Sequence, residues 1–284
     1  MRERLDVYSL RGLCSALQVS PSGYYAWRRR PQRSSLLNTR VSQCFAKHGA
    51  RAGAPCLTRD VNALGVPVSQ RTVGRALARL GLRTRAVRKF KATTNSKHKM
   101  PVDANVLDRQ FTLSKPNQVW VSDITYIRTD EGWLYLAIML DLFSRQVVGW
   151  QMSSRIDTPL IKDALQAALV NRGNPTGVMI HSDQGSQYCA KTFRQMVRKH
   201  KLTQSMSRKG NCWDNAVAES FFASLKKQAI YGIRLTTREQ ARQLVFEYIE
   251  HYYNRVRRHS SNGWLTPVEF ERLHHQSLEE SRVY

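Results

Sequence analysis

Acidic side chains are scarce in this chain of 284 residues. The 21 Asp and Glu face 45 Lys and Arg, which leaves a formal charge of +24. That imbalance excludes a charge-neutral surface and points to a polyanionic partner, nucleic acid above all. Cysteine is sparse too. Cys14, Cys44, Cys56, Cys189 and Cys212 are scattered and odd in number, with no C-x-x-C or His/Cys spacing. The pattern argues against a disulfide framework and a structural zinc site, and for reduced thiols. Long apolar runs are missing: the stretch from Leu134 to Leu140 is far too short to span a bilayer. The opening Met1-Arg2-Glu3-Arg4-Leu5-Asp6 lacks the apolar segment of a signal peptide. No membrane association is expected, and a cytoplasmic location is.

The charge that is present is unevenly placed. Residues 1–102 hold 21 Lys/Arg and 3 Asp/Glu, whereas residues 103–284 hold 24 and 18. A basic front and a nearly balanced rear predict DNA grip in one part and chemistry in the other. Residues 1–35 read as a first helix-turn-helix-like segment. Leu10, Leu13, Cys14 and Leu17 recur at helical spacing, and Ser20-Pro21 opens a helix that carries Tyr24, Tyr25 and Trp27 and ends in Arg28-Arg29-Arg30. Residues 36–85 read as a second such unit. Leu57, Val61 and Leu64 form one helical face stopped by Gly65, and Ser69 caps a helix that Gly81 ends. On that helix Val73, Leu77 and Leu80 face inward, while Arg71, Arg75 and Arg79 share an outer face suited to a DNA groove. Residues 86–112 form a basic linker, with Arg88, Lys89 and Lys91 available to phosphates.

From residue 113 to 230 the texture is α/β. Strands are predicted over 119–127, 133–140, 146–152, 177–180 and 202–206, with helices over 158–170, 190–200 and 215–227, the last capped by Asp214. The order predicts a mixed five-stranded sheet with flanking helices. Residues 231–284 form a helical and basic extension, in which Thr236-x-x-Glu239 fits a capping box and Arg257-Arg258 lies in a basic turn.

Three acids stand out against this basic background. Asp123 interrupts the strand Val121-Ser122-Asp123-Ile124, where propensity disfavours it. Asp183 follows the fourth strand, and Glu219 lies 36 positions later inside a helix. Taken singly, Asp183 suits a turn and Glu219 suits a helix N-terminus. Together they make an oxygen-only donor set for hard divalent cations, which serve the attacking and leaving oxygens of phosphodiester transfer. Carboxylates about 4 Å apart repel by roughly 4 kcal/mol per pair at an effective dielectric constant near 20. Raised pKa values are therefore expected without a cation. Lys226, two helical turns after Glu219, is placed to hold DNA beside the site, or else is simply solvated. Asp141, Asp157 and Asp214 read as turn and cap residues.

These stretches carry a resemblance. Val119-Trp120-Val121-Ser122-Asp123-Ile124-Thr125-Tyr126, His181-Ser182-Asp183-Gln184-Gly185-Ser186-Gln187-Tyr188 and Ser205 through Ala216 to Glu219-Ser220-Phe221-Phe222 resemble the OrfB polypeptides of bacterial insertion-sequence transposases, in the D-D-E transposase and retroviral integrase superfamily. Tyr253-Asn254, Arg258-His259-Ser260 and Thr266-Pro267 match the family's C-terminal signature, and Leu13-Cys14 through Tyr25 its front end. The resemblance implies an RNase H-like core. It maps the catalytic and metal-binding triad onto Asp123, Asp183 and Glu219, with the family's 35 intervening residues between the last two, and its basic residue onto Lys226. It implies two Mg²⁺ ions, replaceable by Mn²⁺. It implies double-stranded DNA as substrate, both the element's terminal repeats and the target. Water frees a 3′-hydroxyl at the element's end, and that hydroxyl attacks a second phosphodiester bond. Also implied are an upstream reading-frame product or a fusion with it, a homo-oligomer on DNA, and a bacterial cytoplasm with nucleoid association. The chain departs from the family at Gln228, where Glu is frequent, and at Val256, where Arg is frequent.

Three other readings remain at this point. A nuclease on the same core would cut without joining. A non-catalytic DNA-binding regulator would leave the three acids unexplained. A tyrosine recombinase, from Arg255, His259 and nearby tyrosines, is poorly spaced.

Overall fold

The computed structural model describes residues 8–29, 35–84, 103–108, 113–208 and 215–281. Among these, five helices precede the sheet: α1 Leu10–Ala16, α2 Pro21–Arg29, α3 Ser35–Lys47, α4 Ala54–Ala63 and α5 Gln70–Arg79. The serine caps form as the sequence predicts. Ser20 Oγ accepts from the Gly23 N–H at 3.0 Å, and Ser69 Oγ accepts from the Thr72 N–H at 3.3 Å. Gly65 and Gly81 take positive φ just past α4 and α5, the left-handed exit that favours glycine. Two features differ from expectation. Leu64 is 49% exposed, because α4 ends at Ala63 and the leucine caps it instead of joining its apolar face. The second unit also has three helices, not two. Val41 and Cys44 of α3 share a core with Leu57, Val61, Val73 and Ala76.

Next come β1 Val119–Thr129, β2 Gly132–Asp141, β3 Val147–Ser153, α6 Thr158–Asn171, β4 Met179–Ser182, α7 Ser186–Cys189, α8 Lys191–Lys199, β5 Thr203–Met206, α9 Ala216–Leu225, α10 Arg238–Phe246 and α11 Pro267–Glu280. The sheet order is β3-β2-β1-β4-β5. β1–β2 and β2–β3 are antiparallel, whereas β1–β4 and β4–β5 are parallel. This is the mixed, five-stranded, RNase H-like sheet that was expected.

Strand alternation sorts the core into two layers. Trp120 and Val148 face α6 and α8, among Ile161, Leu165 and Phe193. Gly149 permits that layer to close: a Cβ there would lie 2.4 Å from the Ala168 nitrogen of α6. Val119, Val121 and Ile127 face the opposite way, among Phe221, Phe222 and Leu225 of α9 and Val245 of α10. Segment 231–253 thus packs into the same core as the sheet.

Several details of that segment were not anticipated. Helix α10 starts one residue late, with Thr237 as its cap. The Thr236 N–H donates to Gln240 Oε1 at 2.9 Å, so Gln240 takes the part assigned to Glu239. The α-helix expected to run straight through 215–227 widens into a π-turn at Lys226–Ile230, and α10 does the same at Glu247–Tyr253. Helix α11 has a capping box formed by Thr266 and Glu269. The buried Glu271 of α11 accepts a bidentate pair from Arg172, at 2.5 and 2.6 Å. Asn254 clamps β3 by accepting from the Val147 N–H and donating to its carbonyl, both at 3.0 Å.

A buried ionic network ties α4 and the turn after α3 to this C-terminal part. Asp60 of α4 accepts from His48 Nε2 at 2.6 Å and from Arg258 Nε at 2.7 Å, and His48 Nδ1 lies 3.3 Å from the Tyr252 hydroxyl. Burial alone would lower the His48 pKa. The hydrogen bonds to Asp60 and Cys56, together with the charges of both, outweigh it and push the pKa up to about 9. Burial would likewise raise the Asp60 carboxyl, but hydrogen bonds from His48 and Arg258 hold it below its ordinary value.

Candidate active site

The register of two parallel strands brings the first two acids together. Val121 of β1 pairs with His181 of β4. Continuing that register by two residues sets Asp123 level with Asp183, just where β4 has ended. Alternation turns Asp123 to the face of Val121, the face covered by α9. Glu219 sits in the first turn of α9 and is exposed, whereas Asp123 and Asp183 are half-buried.

Local hydrogen bonds fix the two aspartates. Asp183 Oδ1 accepts from the Gly185 N–H at 3.0 Å, and a Cβ on Gly185 would lie 3.0 Å from that same oxygen. Asp123 Oδ1 accepts from the Ile124 N–H at 2.7 Å. Beside them the buried Tyr188 hydroxyl meets Ser122 Oγ at 2.8 Å. Burial, with the negative charges of Asp123 and Asp183, keeps the Tyr188 phenol protonated.

The electrostatics mark a site short of positive charge. Burial, then the charge of Asp183 and more weakly that of Glu219, raise the Asp123 carboxyl well above its ordinary range. Glu219 is exposed as a residue, but protein packed around part of its side chain desolvates the carboxyl and raises it too. Lys226 is buried at the start of the π-turn, with Nζ 4.9 Å from the Tyr126 ring centroid. Burial lowers its pKa to about 8, while Asp123 opposes the shift. Lys226 therefore faces Asp123 from inside the fold, and is not on the solvated helical face that a straight helix would give it.

The donor set fits a hard divalent cation: three carboxylates, two of them half-buried, with raised affinity for a positive partner. Their oxygens are not all within 4.8 Å of one another. Among the described residues, the group of possible ligands gathered that tightly is His48, Cys56 and Asp60, which no His/Cys spacing in the chain suggests. Cys56 Sγ is 3.8 Å from His48 Nε2. Its chemistry fits a cation poorly, because Asp60 is already engaged by Arg258 and by His48.

The remaining predicted site residues are dispersed. Arg71, Arg75 and Arg79 are exposed along α5, as their spacing requires. Arg28 and Arg29 are exposed at the end of α2, beside the exposed Tyr25 and Trp27, whereas Tyr24 is buried. Arg257 is half-buried, with Nη2 3.3 Å from Ser224 Oγ and Nη1 2.9 Å from the His259 ring. Arg258 holds Asp60 and donates to the Trp264 carbonyl at 3.0 Å. Arg30, Arg88, Lys89 and Lys91 lie outside the described residues, as do Asp214 and Cys212. Asp157 caps α6 by accepting from the Leu160 N–H at 3.2 Å. Asp141 accepts from the Asn117 and Phe143 N–H groups, and burial raises its pKa to about 6. Gln228 accepts from the Tyr248 hydroxyl at 2.8 Å, and Val256 packs against the core.

Comparison with known proteins decides the family. Two models described as "Integrase core domain" match residues 114–212 and 200–267. Transposase InsF for insertion sequence IS3A, from Escherichia coli (strain K12), is 46% identical over 271 residues, covering 93% of this chain and 94% of the relative. The chain belongs to the IS3-type transposases of the D-D-E superfamily. Another relative of this transposase, the insertion element IS600 31 kDa protein of Shigella sonnei, is 40% identical and covers 93% of the chain and 99% of the relative. Solved structures are more distant. The simian T-cell lymphotropic virus intasome bound to PP2A regulatory subunit B56 gamma gives a TM-score of 0.48 at 16% identity, over 80% of this chain and 73% of that one. The HTLV-2 integrase catalytic core domain in complex with magnesium gives 0.43 at 16% identity, over 55% and 97%. The protein is a transposase with an integrase core, a polynucleotidyl transferase. No helix among the described residues is long and apolar enough to cross a membrane.

Proposed function

We propose that this transposase cleaves one strand at each end of its insertion element and joins the freed 3′-hydroxyl to a second phosphodiester bond, with Asp123, Asp183 and Glu219 as the catalytic residues. The observation that carries this reading is the β1–β4 register, which levels Asp123 with Asp183 beneath the helix bearing Glu219. In the first step a water oxygen bonds to phosphorus and the 3′-oxygen leaves with a proton. In the second, that 3′-oxygen bonds to a new phosphorus and displaces another 3′-oxygen, so the two bonds made replace the two broken. Two Mg²⁺ ions, for which Mn²⁺ substitutes, supply charge neutralisation at the attacking and leaving oxygens when bound. Asp123, within β1, and Asp183, just past β4, would hold them, and Glu219 would complete the set from α9. Gly185 and Ile124 aim the aspartates through their N–H groups. Lys226, beside Asp123, holds the DNA backbone next to the reacting phosphate.

Double-stranded DNA is the substrate, as terminal repeats and as target. The exposed arginines of α2 and α5 supply phosphate contacts, and the charges of Arg88, Lys89 and Lys91, outside the described residues, add to them. Synapsis of two ends calls for a homo-oligomer, acting with an upstream reading-frame product or as a fusion to it, in the bacterial cytoplasm and on the nucleoid. Incubation with element-end DNA and Mg²⁺ tests the reading. Wild type is expected to yield nicked ends and joined products, and Glu219→Gln neither. Nicked ends without joined products from wild type would reduce the activity to that of a nuclease.

A further inference from the structure

A cleft of about 550 Å³ lies along α9 beside Glu219, with Ser220 and Ser224 on one wall. Four arginines complete it: Arg51 ahead of α4, Arg145 in the turn between β2 and β3, and Arg257 and Arg258 after the second π-turn. Among the described residues that line the cleft, none is Asp or Glu. The acids that answer these arginines do not line the cleft. Asp60 holds Arg258 at 2.7 Å, Glu247 lies 3.8 Å from Arg51, and Asp141 acts on Arg145. The face that the cleft offers is therefore of one sign. Burial and the charges of Arg257 and Arg145 push the His259 pKa down to about 3, so its imidazole adds no charge and serves as a neutral hydrogen-bonding group.

A concave, one-signed wall concentrates anions. Planar guanidinium groups match phosphate oxygens, and serine hydroxyls add neutral donors to the same oxygens. The volume is that of a small-ligand pocket, which takes a short stretch of one strand and not the width of a duplex. The chain separation of the arginines matters as well. Arg51 belongs to the helical unit and the other three to the catalytic part, so an anion in the cleft touches both.

We propose that this cleft seats the backbone phosphates of a DNA strand next to the strand being cut, so that the substrate spans Glu219 and the cleft across α9 and bridges the helical unit to the catalytic sheet. The proposal rests on the reading of the protein as a DNA strand transferase and adds a second, non-catalytic anchor for that substrate.

The test measures binding of full-length protein to a single-stranded tail on element-end DNA, in metal-free buffer across a salt series. Ser224→Asp sets a carboxylate against Arg257 and the cleft. It is expected to weaken binding about tenfold and to flatten the salt dependence by about one phosphate contact, whereas Ser224→Ala stays within about twofold of wild type. Arg51→Gln, on the opposite wall, repeats the test if Ser224→Asp lowers the melting temperature. Unchanged affinity and salt slope in a folded variant overturn the proposal. So does a result in which the variants lose inorganic tripolyphosphate binding but keep DNA affinity, which would make the cleft a polyphosphate seat. Retained cleavage by Glu219→Gln would instead sink the triad assignment, and metal-free binding reports separately from it.

Discussion

Asp60 and Asp123 are the same residue type drawn into the same protein, yet their surroundings are of opposite sign. Asp60 lies between His48 and Arg258, and its carboxyl is held down. Asp123 lies beside Asp183 within reach of Glu219, and its carboxyl is driven up. The first arrangement is satisfied by the fold itself and joins two parts of the chain. The second is offset only in part by the Ile124 N–H and by Lys226, and the negative charge left over is what the proposed cation site requires. Direction of shift alone does not make the distinction. Asp141 is also raised, to about 6, but two backbone N–H groups hold it and Arg172 lies 3.9 Å away, so it closes a turn. Like charges converging from separate elements single out Asp123 for the proposed site.

The largest effect should come from neutralising the like-charge member. Asp123→Asn is expected to lower strand cleavage roughly a thousandfold or more, and to raise the stability of the metal-free protein by about 1 kcal/mol as repulsion is relieved. Thermal melts and single-turnover assays on the same preparation check both signs. A variant that is both inactive and destabilised would erase the contrast with Asp60. The opposite-charge member should respond in the reverse sense. Asp60→Asn strands His48 and Arg258 and is expected to cost about 3 kcal/mol, read as a lower denaturant midpoint.

Smaller effects sharpen the same comparison. The folded pKa of His48, about 9, exceeds the 6.5 of a free imidazole. Its contribution is therefore complete below about pH 6.5 and lost as pH rises through about 9. Stability should fall over that window in wild type and fall less in Asp60→Asn, a difference that pH-dependent melts resolve. Last, replacing Arg71, Arg75 and Arg79 by Gln should leave stability nearly unchanged, since all three are exposed. DNA affinity should drop, and the salt slope should flatten by up to about 0.9 per lost contact.

Much of this was legible in the residues. Alternating apolar runs and turn residues located five strands, and Asp123 stood out because a carboxylate in a buried strand needs a reason. The serine caps of α2 and α5 could be read directly. Helices α3 and α11 could also have been found: Leu37, Val41, Cys44 and Phe45 recur at helical spacing, and Thr266-Pro267 with Glu269 is a capping box with proline at the first position. The π-turn at Lys226 was not legible, because helical spacing presumes a regular pitch. Nor was the Asp60–Arg258 pair, whose partners lie 198 residues apart and meet only through tertiary packing. For the same reason the residues shared with the family's C-terminal signature read as a basic turn, whereas Asn254, Arg258 and Thr266 each hold backbone or charge in place.

Crystals of the protein with element-end DNA and Mn²⁺, measured at the manganese edge, put the central contrast to its most direct test. Anomalous peaks coordinated by Asp123 and Asp183, with Glu219 closing on them, are the result expected. Peaks at His48, Cys56 and Asp60 with the triad empty would contradict the assignment of the like-charged cluster as the metal site.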